Sequence, residues 1–491
     1  MTAQKILFAS SEAFPLIKTG GLADVSGSLP AALKSLRRDV RLMLPAYRSV
    51  LQQLGGARPL TTLELPGTLA PVRILESQLP GTSVRLWLVD AAEHFDRDGN
   101  PYLGPDHQDW PDNAGRFALF CRAIATLALD QAGLNWRPDL VHCNDWQTGL
   151  VPALLAGHEH RPATVFTIHN LAYQGLFPAD TFATLQLPPA LWTMHGIEFY
   201  NQLSFIKGGI AFSDVVNTVS PQYALEICTP EFGYGLDPLL QSLGDRLSGI
   251  LNGVDYAQWN PARDPLIPQP YNAYNFEQKK FNKLALQRRM RLPVSDTMPV
   301  IGFIGRLVEQ KGIDLILAAL PALLKEDVQF VMLGSGHGLL EQGLTHAMEH
   351  HPDRIAVQIG YDEELAHLIE AGADMFLMPS RFEPCGLNQI YSLRYGTLPI
   401  VRHTGGLANT VTDTGEATLA SNTATGFVFH STRPQALADT CLRAVELYRT
   451  QPKVWRKVAF NAMHQDFSWR RSARLYLTLY QQAERQLKNR P

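Results

Sequence analysis

Short apolar runs recur along the chain between longer amphipathic segments, and they form two series. Continuous apolar runs without alternation are typical of parallel strands that are buried on both faces. We therefore predict an α/β fold with two doubly wound sheets. The first series covers residues 5–10, 40–45, 84–90, 139–145, 163–170 and 215–220, and the second covers residues 299–305, 328–334, 355–360, 374–380 and 398–406.

The segment between the two series separates two predicted domains. Residues 259–275 (WNPARDPLIPQPYNAYN) are rich in proline and asparagine, so they are interpreted as an irregular linker. We predict an N-terminal domain over residues 1–245 and a C-terminal domain over residues 246–465, with a cleft between them. Ligands of such folds bind at the carboxyl ends of the strands.

Composition narrows the function classes. The 43 basic and 46 acidic residues of this 491-residue chain give a net charge of −3, which excludes a strong basic field for nucleic acid or an anionic membrane. The five cysteines form no C-x-x-C pair, so reduced thiols and a cytoplasmic location are expected. No signal peptide is expected, because the first apolar run is short and is broken by Ser10, Ser11 and Glu12. No apolar stretch of about 18 residues is seen, so no membrane span is expected.

A near-repeat predicts an anion site. KTGGLADV at residues 18–25 is echoed by HTGGLANTV at residues 403–411, and a basic residue precedes each Thr-Gly-Gly. Glycine lets backbone N–H groups at a helix start approach a phosphate closely. Coincidence, or a generic strand–turn–helix joint, is the alternative interpretation.

Other phosphate motifs are absent or incomplete. The chain has no G-x-x-x-x-G-K-[ST] loop, which argues against a P-loop ATPase or kinase. It also has no G-x-G-x-x-G dinucleotide fingerprint, which argues against a hydride-transfer enzyme. The nearest sequence is LGSGHGLLE at residues 333–341, which has Leu339 at the position of the last glycine. A glycine-rich turn after a strand can still receive a nucleotide.

Two further segments follow predicted strands. GFIGRLVEQKGID supplies Arg306 and Lys311, which suit a diphosphate. SRFEPCGLNQ supplies Glu383, which can accept hydrogen bonds from sugar hydroxyls. Ordinary surface cations and a glutamate at a helix start are the respective alternatives.

Six motifs together resemble those of bacterial glycogen synthases and plant starch synthases, glycosyltransferase family 5. In chain order they are KTGGLADV, HCNDWQTGL, FTIHNLAYQG, LNGVD, GRLVEQKG and SRFEPCGLNQIYSLRYGTLPIVRHTGGLANTV. The resemblance runs from about residue 5 to residue 480. It implies the GT-B fold of two Rossmann-like domains facing across a cleft, with a C-terminal helix over residues 466–491 that crosses back to the first domain. It also implies a retaining transfer of glucose from ADP-glucose to the non-reducing 4-hydroxyl of an α-1,4-glucan such as glycogen.

The resemblance also implies roles for individual residues. Arg306, Lys311 and Glu383 match residues that hold the leaving ADP and the glucosyl hydroxyls, and Asp145 and His169 match the reaction centre of the first domain. Tyr102 and Asn170 match the acceptor side, and Lys207 is a weaker acceptor candidate. The remaining donor-binding matches are Lys18, Gly20, Gly21, Asp24, Cys385, Gly386, Thr404, Gly405 and Gly406.

No cofactor or metal is expected, because in the family view side-chain cations stabilise the leaving group. His346 and His350 are spaced as a metal pair, but they lack the H-E-x-x-H order and are interpreted as a surface helix face. Many retaining GT-B enzymes have a second glutamate where this chain has Tyr391; the glycogen synthase branch shows a similar replacement. That contact stays unassigned.

Two alternatives remain open. A related transferase could use UDP-glucose, because no residue read from the sequence distinguishes adenine from uracil. A non-catalytic glucan-binding scaffold could share the fold, although it would not need all of the matched residues. A glucan phosphorylase is disfavoured, because no segment for a pyridoxal-phosphate lysine is recognised. The sequence leaves the oligomeric state undetermined.

Overall fold

The computed structural model describes residues 3–68 and 70–489, which form two compact α/β units. The first unit contains Met1–Gly253 and Trp469–Pro491, and the second contains Val254–Ser468. The main sheet of each unit is mainly or wholly parallel and has helices packed on it, so the prediction of two Rossmann-like doubly wound domains is confirmed.

The strands of the first unit form one large sheet and one small sheet. The large sheet has the order β12-β11-β7-β6-β1-β2-β5-β4-β3 and is parallel from β12 to β5, while β4 and β3 are antiparallel. The small sheet has the order β8-β10-β9. The strands are β1 (Lys5–Ala9), β2 (Asp39–Pro45), β3 (Arg58–Leu63), β4 (Val72–Gln78), β5 (Arg85–Asp90), β6 (Leu140–Asn144), β7 (Ala163–Ile168), β8 (Leu176–Pro178), β9 (Glu198–Phe199), β10 (Gln202–Ser204), β11 (Val215–Thr218) and β12 (Leu247–Gly249).

Helices follow most of these strands. They are α1 (Gly21–Ser35), α2 (Arg48–Leu54), α3 (Ala92–Phe95), α4 (Asn113–Ala128), α5 (Leu150–Leu155), α6 (Ala179–Thr184), α7 (Phe205–Phe212), α8 (Pro221–Glu226) and α9 (Asp237–Ser242). The central strands β6 and β7 are buried at every position. That burial explains why both strands consist of apolar or neutral side chains and why they are visible in the hydrophobic pattern.

The second unit has a single parallel sheet in the order β15-β14-β13-β16-β17-β18. Counted from its own first strand, this is the 3-2-1-4-5-6 order of a nucleotide-binding fold. The strands are β13 (Val300–Ile304), β14 (Gln329–Gly334), β15 (Ile355–Ile359), β16 (Met375–Met378), β17 (Leu398–Arg402) and β18 (Phe427–Phe429). The helices are α10 (Lys279–Arg289), α11 (Ile313–Leu323), α12 (Gly338–His350), α13 (Glu363–Gly372), α14 (Asn388–Tyr395), α15 (Gly405–Thr410), α16 (Glu416–Ala420), α17 (Pro434–Thr450) and α18 (Pro452–Met463).

The boundary between the units lies after Gly253 rather than after residue 245. The reason is β12, which pairs with the edge strand β11 and extends the first sheet through Gly249. This three-residue strand is too short to stand out in the hydrophobic pattern.

Residues 259–275 lack regular structure, but interpreting them as a linker was wrong, because they pack within the second unit. The Trp259 ring stacks on His367 at 3.9 Å and on Tyr391 at 4.0 Å between ring centroids. Asp264 accepts a hydrogen bond from Tyr395, and its carboxylate lies 2.8 Å from Nδ1 of His367. A proline-rich segment thus covers part of α13 and α14 instead of joining two bodies.

The last helix, α19 (Trp469–Lys488), belongs to the first unit. Its Tyr480 hydroxyl lies 2.8 Å from Nδ1 of the buried His142 on β6, and its Tyr476 hydroxyl accepts a 3.4 Å hydrogen bond from Asn217 on β11. The chain therefore returns from the second unit to pack its final helix against the first sheet. Within the described residues, no helix is both long and apolar enough to span a membrane.

Candidate functional site

The first group of predicted site residues lies at the topological switch point of the first sheet. From β1 the chain continues to β2 on one side, while β6 pairs with the other side of β1. Asp145 follows β6 directly, and His169 follows the adjacent strand β7. Carboxyl ends of strands at a switch point form the crevice in which ligands of open α/β sheets bind.

A buried carboxylate holds the Lys18–Gly21 turn near this point. Glu12 is 2% exposed and accepts hydrogen bonds from the Thr19 backbone N–H at 2.5 Å, the Thr19 hydroxyl at 2.6 Å and the Gly20 N–H at 3.3 Å. The Tyr102 hydroxyl donates to the same carboxylate at 2.5 Å. Glu12 therefore connects the predicted donor loop with the predicted acceptor tyrosine, a role for which the sequence carried no signal.

The glycines of this turn face open space. A Cβ atom built on Gly20 or on Gly21 would meet no other atom within 4 Å. The φ of Gly20 is −157°, a backbone conformation open to any residue. Neither protein packing nor backbone strain therefore requires glycine at these two positions. The open space beside Gly20 and Gly21 is available for a ligand.

Lys18 lies at the surface beside this turn. Its ammonium pairs with the Asp24 carboxylate at 2.8 Å, and its side chain is 49% exposed. Such an exposed pair is weak and exchanges partners readily. A phosphate that reached the turn would therefore compete with Asp24 for the Lys18 charge.

Asp145 has a strained backbone and a buried side chain. Its φ is 56° and its ψ is −179°, a backbone conformation that residues other than glycine rarely adopt. Its carboxylate accepts a hydrogen bond from the His169 N–H at 2.7 Å. Burial raises the pKa of the Asp145 carboxyl to about 7, although backbone hydrogen bonds from His169 and Asn170 oppose this shift. Strain and a shifted pKa at one residue are typical of functional sites.

His169 is neutral and has a defined orientation. Burial lowers the pKa of its imidazole to about 3. Nε2 lies 2.9 Å from Oδ1 of Asn144, and the amide of Asn144 is oriented by donating to the Ala9 carbonyl at 3.0 Å. Nε2 therefore donates to Asn144, which leaves Nδ1 as an acceptor for a hydroxyl group. Asn144 is a second residue that the sequence reasoning missed, although it stands within the HCND motif.

The predicted acceptor residues have different surroundings. Tyr102 lies over Glu12, and burial raises the pKa of its hydroxyl well above the usual value. Asn170 follows His169, and its side-chain oxygen accepts the Ala172 N–H at 3.1 Å. Lys207 does not fit the acceptor role, because its ammonium donates to the carbonyls of Met194 and Glu198. Lys207 therefore stabilises the fold around β9.

The second unit presents its own group of residues at its own switch point, between β13 and β16. The Lys311 ammonium lies 2.5 Å from the Glu383 carboxylate, which also accepts the Ser380 hydroxyl at 3.0 Å. Arg306, immediately beyond β13, is exposed and donates to the side chain of Gln310 at 3.1 Å. The structure thus brings Lys311 and Glu383, two separately predicted site residues, into contact.

The incomplete glycine motif after β14 packs against the segment that holds Arg306. A Cβ on Gly334 would lie 1.9 Å from the Gly305 carbonyl oxygen, and one on Gly336 would lie 2.4 Å from that of Leu307. These glycines therefore serve close backbone packing. Beside them, Tyr361 lies two residues beyond β15 and is 85% exposed, a third residue that the sequence reasoning missed.

The second Thr-Gly-Gly turn differs from the first. The Gly406 N–H donates to the Glu383 carbonyl at 3.0 Å, and a Cβ on Gly405 would lie 1.9 Å from the same oxygen. The expected N–H contact from Gly406 to a phosphate therefore does not apply in this conformation, because the strand–helix joint packs against the Glu383 segment. Thr404 precedes α15, and Cys385 is a buried thiol beside Gly386, whose φ is +70°. Arg402 donates to the carbonyls of Ser380 and Arg381.

Within the part of the chain that the structure describes, no group of three or more His, Cys, Asp or Glu side chains is arranged to hold a metal ion. The rings of His346 and His350 lie 4.0 Å apart between centroids and are tilted to each other by 48°, and Nδ1 of His350 lies 2.8 Å from the His346 carbonyl. The pair lies along one side of α12.

Comparison with known proteins decides the family. Residues 5–242 match the model for the starch synthase catalytic domain, and residues 287–461 match the model for glycosyl transferases group 1. Glycogen synthase 1 of Methylococcus capsulatus is 57% identical over 479 residues, which cover 98% of this chain and 96% of the relative. The chain belongs to the glycogen synthase and starch synthase family. Glycogen synthase of Thioalkalivibrio sulfidiphilus is also 57% identical, over 97% of this chain and 99% of its own length.

Solved structures support the same family and its fold. The catalytic domain of starch synthase IV from Arabidopsis thaliana, bound to ADP and acarbose, has a TM-score of 0.85 at 32% identity and covers 99% of this chain and 100% of its own. Sucrose-phosphate synthase from Thermosynechococcus elongatus, at 17% identity and a TM-score of 0.58, shares the fold. The chain is thus a glycosyltransferase with the GT-B fold of the glycogen and starch synthase family.

Proposed function

We propose that this glycosyltransferase transfers glucose from ADP-glucose to the non-reducing 4-hydroxyl of an α-1,4-glucan, with retention, during glycogen synthesis in the cytoplasm. Similarity to glycogen synthases over nearly the whole chain supports the reaction class. The observation that carries the residue roles is the 2.5 Å contact between Lys311 and Glu383 at the switch point of the second sheet. A cation can bind the diphosphate of a nucleotide sugar, and a carboxylate beside it can bind the sugar hydroxyls.

The donor would be held mainly by the second unit. When the diphosphate binds, the Lys311 ammonium and the Arg306 guanidinium face its negative charge, and Glu383 is released to accept hydrogen bonds from glucosyl hydroxyls. The exposed Tyr361 ring stands where the chain leaves β15, next to the β14 glycine loop, so it offers a face for stacking of the nucleobase. Within the first unit, Lys18 and the open glycines Gly20 and Gly21 offer their own contact for a phosphate group.

The first unit would orient the sugar and the acceptor. The neutral His169 presents Nδ1 as an acceptor for a glucosyl hydroxyl, because its Nε2–H is committed to Asn144. Asp145 and Asn170 follow the ends of β6 and β7, and the Tyr102 hydroxyl contacts Ser11 and Glu12 beyond the end of β1. The carboxylates of Asp145 and Glu12 are both engaged by backbone N–H groups, so neither is poised as a nucleophile.

Transfer would then occur on one face of the sugar. The bond between the anomeric carbon and the phosphate oxygen breaks as the bond to the acceptor oxygen forms. The departing phosphate oxygen takes the proton of the acceptor hydroxyl. Arg306 and Lys311 stabilise the negative charge that develops on the diphosphate, an electrostatic contribution that commonly dominates catalysis. No cofactor or metal ion has a required role in this proposal.

The test is incorporation of labelled glucose into glycogen from ADP-glucose, with UDP-glucose in a parallel assay and with chelator present in half of the samples. The proposal expects incorporation from ADP-glucose that chelator leaves unchanged. Incorporation mainly from UDP-glucose would overturn the donor, and loss of turnover with chelator would overturn the metal-free mechanism. Folded protein that binds glucan without transfer from either donor would indicate a scaffold.

A further inference from the structure

An aromatic cluster lies on the surface of the second unit, away from its donor residues. Tyr274 is 77% exposed, and Phe460 on α18 is 39% exposed. The Tyr274 ring stands nearly perpendicular to the rings of Phe460 and His464, at 5.8 and 5.9 Å between centroids. Large apolar side chains grouped at the surface usually mark a binding site.

A pocket of about 530 Å³ opens beside this cluster. Tyr274 and His464 form part of its wall, together with Tyr256 and the carboxamides of Asn260 and Asn272. Its volume lies within the range of about 300–1,000 Å³ that is usual for small-molecule sites. The pocket thus combines exposed ring faces with hydrogen-bonding groups.

The pocket is separate from the donor residues of the same unit. Arg394, in its wall, lies in the last turn of α14. This helix begins just after Glu383, beyond the carboxyl end of β16, and it ends just before β17 starts. Arg394 is therefore near the amino-terminal edge of the sheet, while Lys311 and Glu383 are at the carboxyl edge.

The wall is organised before any ligand arrives. The side-chain oxygen of Asn272 accepts the Tyr274 N–H at 2.8 Å, and the Asn272 N–H donates to the side chain of Asn275 at 2.6 Å. On the other side, Arg394 donates to the Met463 carbonyl at 3.2 Å and lies 5.0 Å from the centre of the Tyr256 ring. Preorganisation of this kind lowers the entropic cost of binding.

The charges of the wall favour a neutral ligand. The lining contains one arginine, Arg394, and one aspartate, Asp466, so the pocket has no excess of one sign that would attract a nucleotide or an acidic peptide. A pyranose ring matches the remaining features, because its C–H face packs on an aromatic ring while its hydroxyls reach amide donors at the edge.

We propose that the pocket between Tyr274, Asn260, Asn272 and His464 is a second binding site for α-1,4-linked glucosyl units. The inference deepens the proposed function, since the ligand is a distant part of the glucan that the catalytic residues extend. Occupying this site holds a long polymer near the enzyme and raises its effective concentration at the reaction centre. Short oligosaccharides gain no such advantage.

Affinity electrophoresis in native gels that contain glycogen tests the site without turnover. Tyr274→Ala removes the most exposed ring and should raise the apparent Kd for glycogen by about fivefold, the size expected for one lost stacking contact. Tyr274→Phe keeps the ring and should retain binding close to that of the wild type. Phe281→Ala, at another exposed aromatic residue of the same unit that does not line the pocket, is the matched control.

Kinetics separate this site from the reaction centre. Tyr274→Ala should raise KM for glycogen and leave kcat, KM for ADP-glucose and KM for maltotriose unchanged. Unchanged retardation of Tyr274→Ala in the glycogen gel overturns the inference. An unchanged gel mobility accompanied by dissociation of an oligomer, measured by sedimentation, would identify the surface as a contact between copies of the chain. If the wild type transfers no glucose, the proposed function fails, while the gel result still decides whether this site binds glucan.

Discussion

The Glu12 carboxylate holds both the backbone N–H and the hydroxyl of Thr19, at 2.5 and 2.6 Å. Glu12 lies beyond the end of β1, and Thr19 lies immediately before the two glycines that face open space. The same carboxylate accepts the Tyr102 hydroxyl. A single buried acid thus fixes the shape of the turn that carries Lys18 and the position of a tyrosine on the acceptor side.

Replacing Glu12 should therefore impair catalysis more than folding. Glu12→Gln keeps the size of the side chain but exchanges one acceptor oxygen for an NH₂ group that faces donors. We expect kcat/KM for ADP-glucose to fall by roughly 10- to 100-fold, which corresponds to the loss of one or two hydrogen bonds to a charged group. Steady-state kinetics with varied ADP-glucose and then varied glucan measure this effect.

The control is Glu64→Gln, which changes an exposed carboxylate of the same unit and should behave like the wild type. Thermal unfolding separates a loss of activity caused by an altered turn from one caused by unfolding of the protein. If Glu12→Gln lowered Tm enough to unfold the protein at the assay temperature, a purely structural role would explain the loss. Normal kinetics for both substrates would show that the turn does not need this anchor.

The contact between Lys311 and Glu383 leads to a second prediction. Lys311→Ala or Arg306→Ala should lower kcat by about 100-fold or more, because each removes a cation from the developing charge on the diphosphate. Lys325→Ala, at an exposed lysine just beyond α11, is the matched control. Near-normal turnover in both variants would contradict the proposed role of these cations.

Most of the parallel framework could be predicted from the sequence because its strands are buried on both faces. Strands such as β6 and β7 consist of apolar or neutral side chains, and the expected runs match them within two residues at each end. The antiparallel strands β3 and β4 were missed. Exposed positions alternate or cluster along them, so no continuous apolar run marks either strand.

Site residues could be predicted from the sequence only where they belong to a recognisable motif. Lys311 and Glu383 are distant in sequence, and their motifs led to both of them before the 2.5 Å contact was known. Glu12 and Asn144 act through contacts that depend on the fold, because their partners Tyr102 and His169 lie on other loops. Lys207 was selected from its sequence context although it has a structural role, because its ammonium donates hydrogen bonds to two backbone carbonyls.

The backbone of Asp145 leads to a third prediction. Its φ of 56° with a ψ of −179° suits glycine and strains any other residue. Asp145→Gly and Asp145→Ala both remove the carboxylate and should both lower kcat strongly. Asp145→Gly should nevertheless be more stable than Asp145→Ala by about 1–3 kcal/mol, because it also relieves the strain. This order reverses the usual preference for alanine over glycine.

Urea unfolding of the two Asp145 variants measures the difference directly. Gly115 provides the reference, since it lies within α4, where a Cβ would meet no other atom within 4 Å. Gly115→Ala should stabilise the protein by up to about 1 kcal/mol, as expected for a helical site. If Asp145→Ala proved as stable as Asp145→Gly, the unusual backbone would not store strain.

The final prediction concerns acid stability and the helix α19. His142 is buried between Thr167 and Tyr480, and burial lowers the pKa of its imidazole to about 3. A histidine in the unfolded chain has a pKa of about 6.5. The depressed pKa therefore contributes stability that is fully present above pH 6.5 and is lost as the pH falls toward 3. In this window, each such histidine makes the free energy of unfolding fall by about 1.4 kcal/mol per pH unit.

Removing the titrating group should flatten this dependence. His142→Gln should be less stable than the wild type at pH 7, because the hydrogen bonds to Tyr480 and Thr167 are disturbed, but its stability should fall less steeply between pH 6 and pH 4. Urea unfolding at several pH values measures the slope, and the exposed His158→Gln is the control. Equal slopes for His142→Gln and the wild type would show that His142 becomes protonated without unfolding. A reduced slope would instead show that the contact between β6 and the final helix limits the acid stability of the first unit.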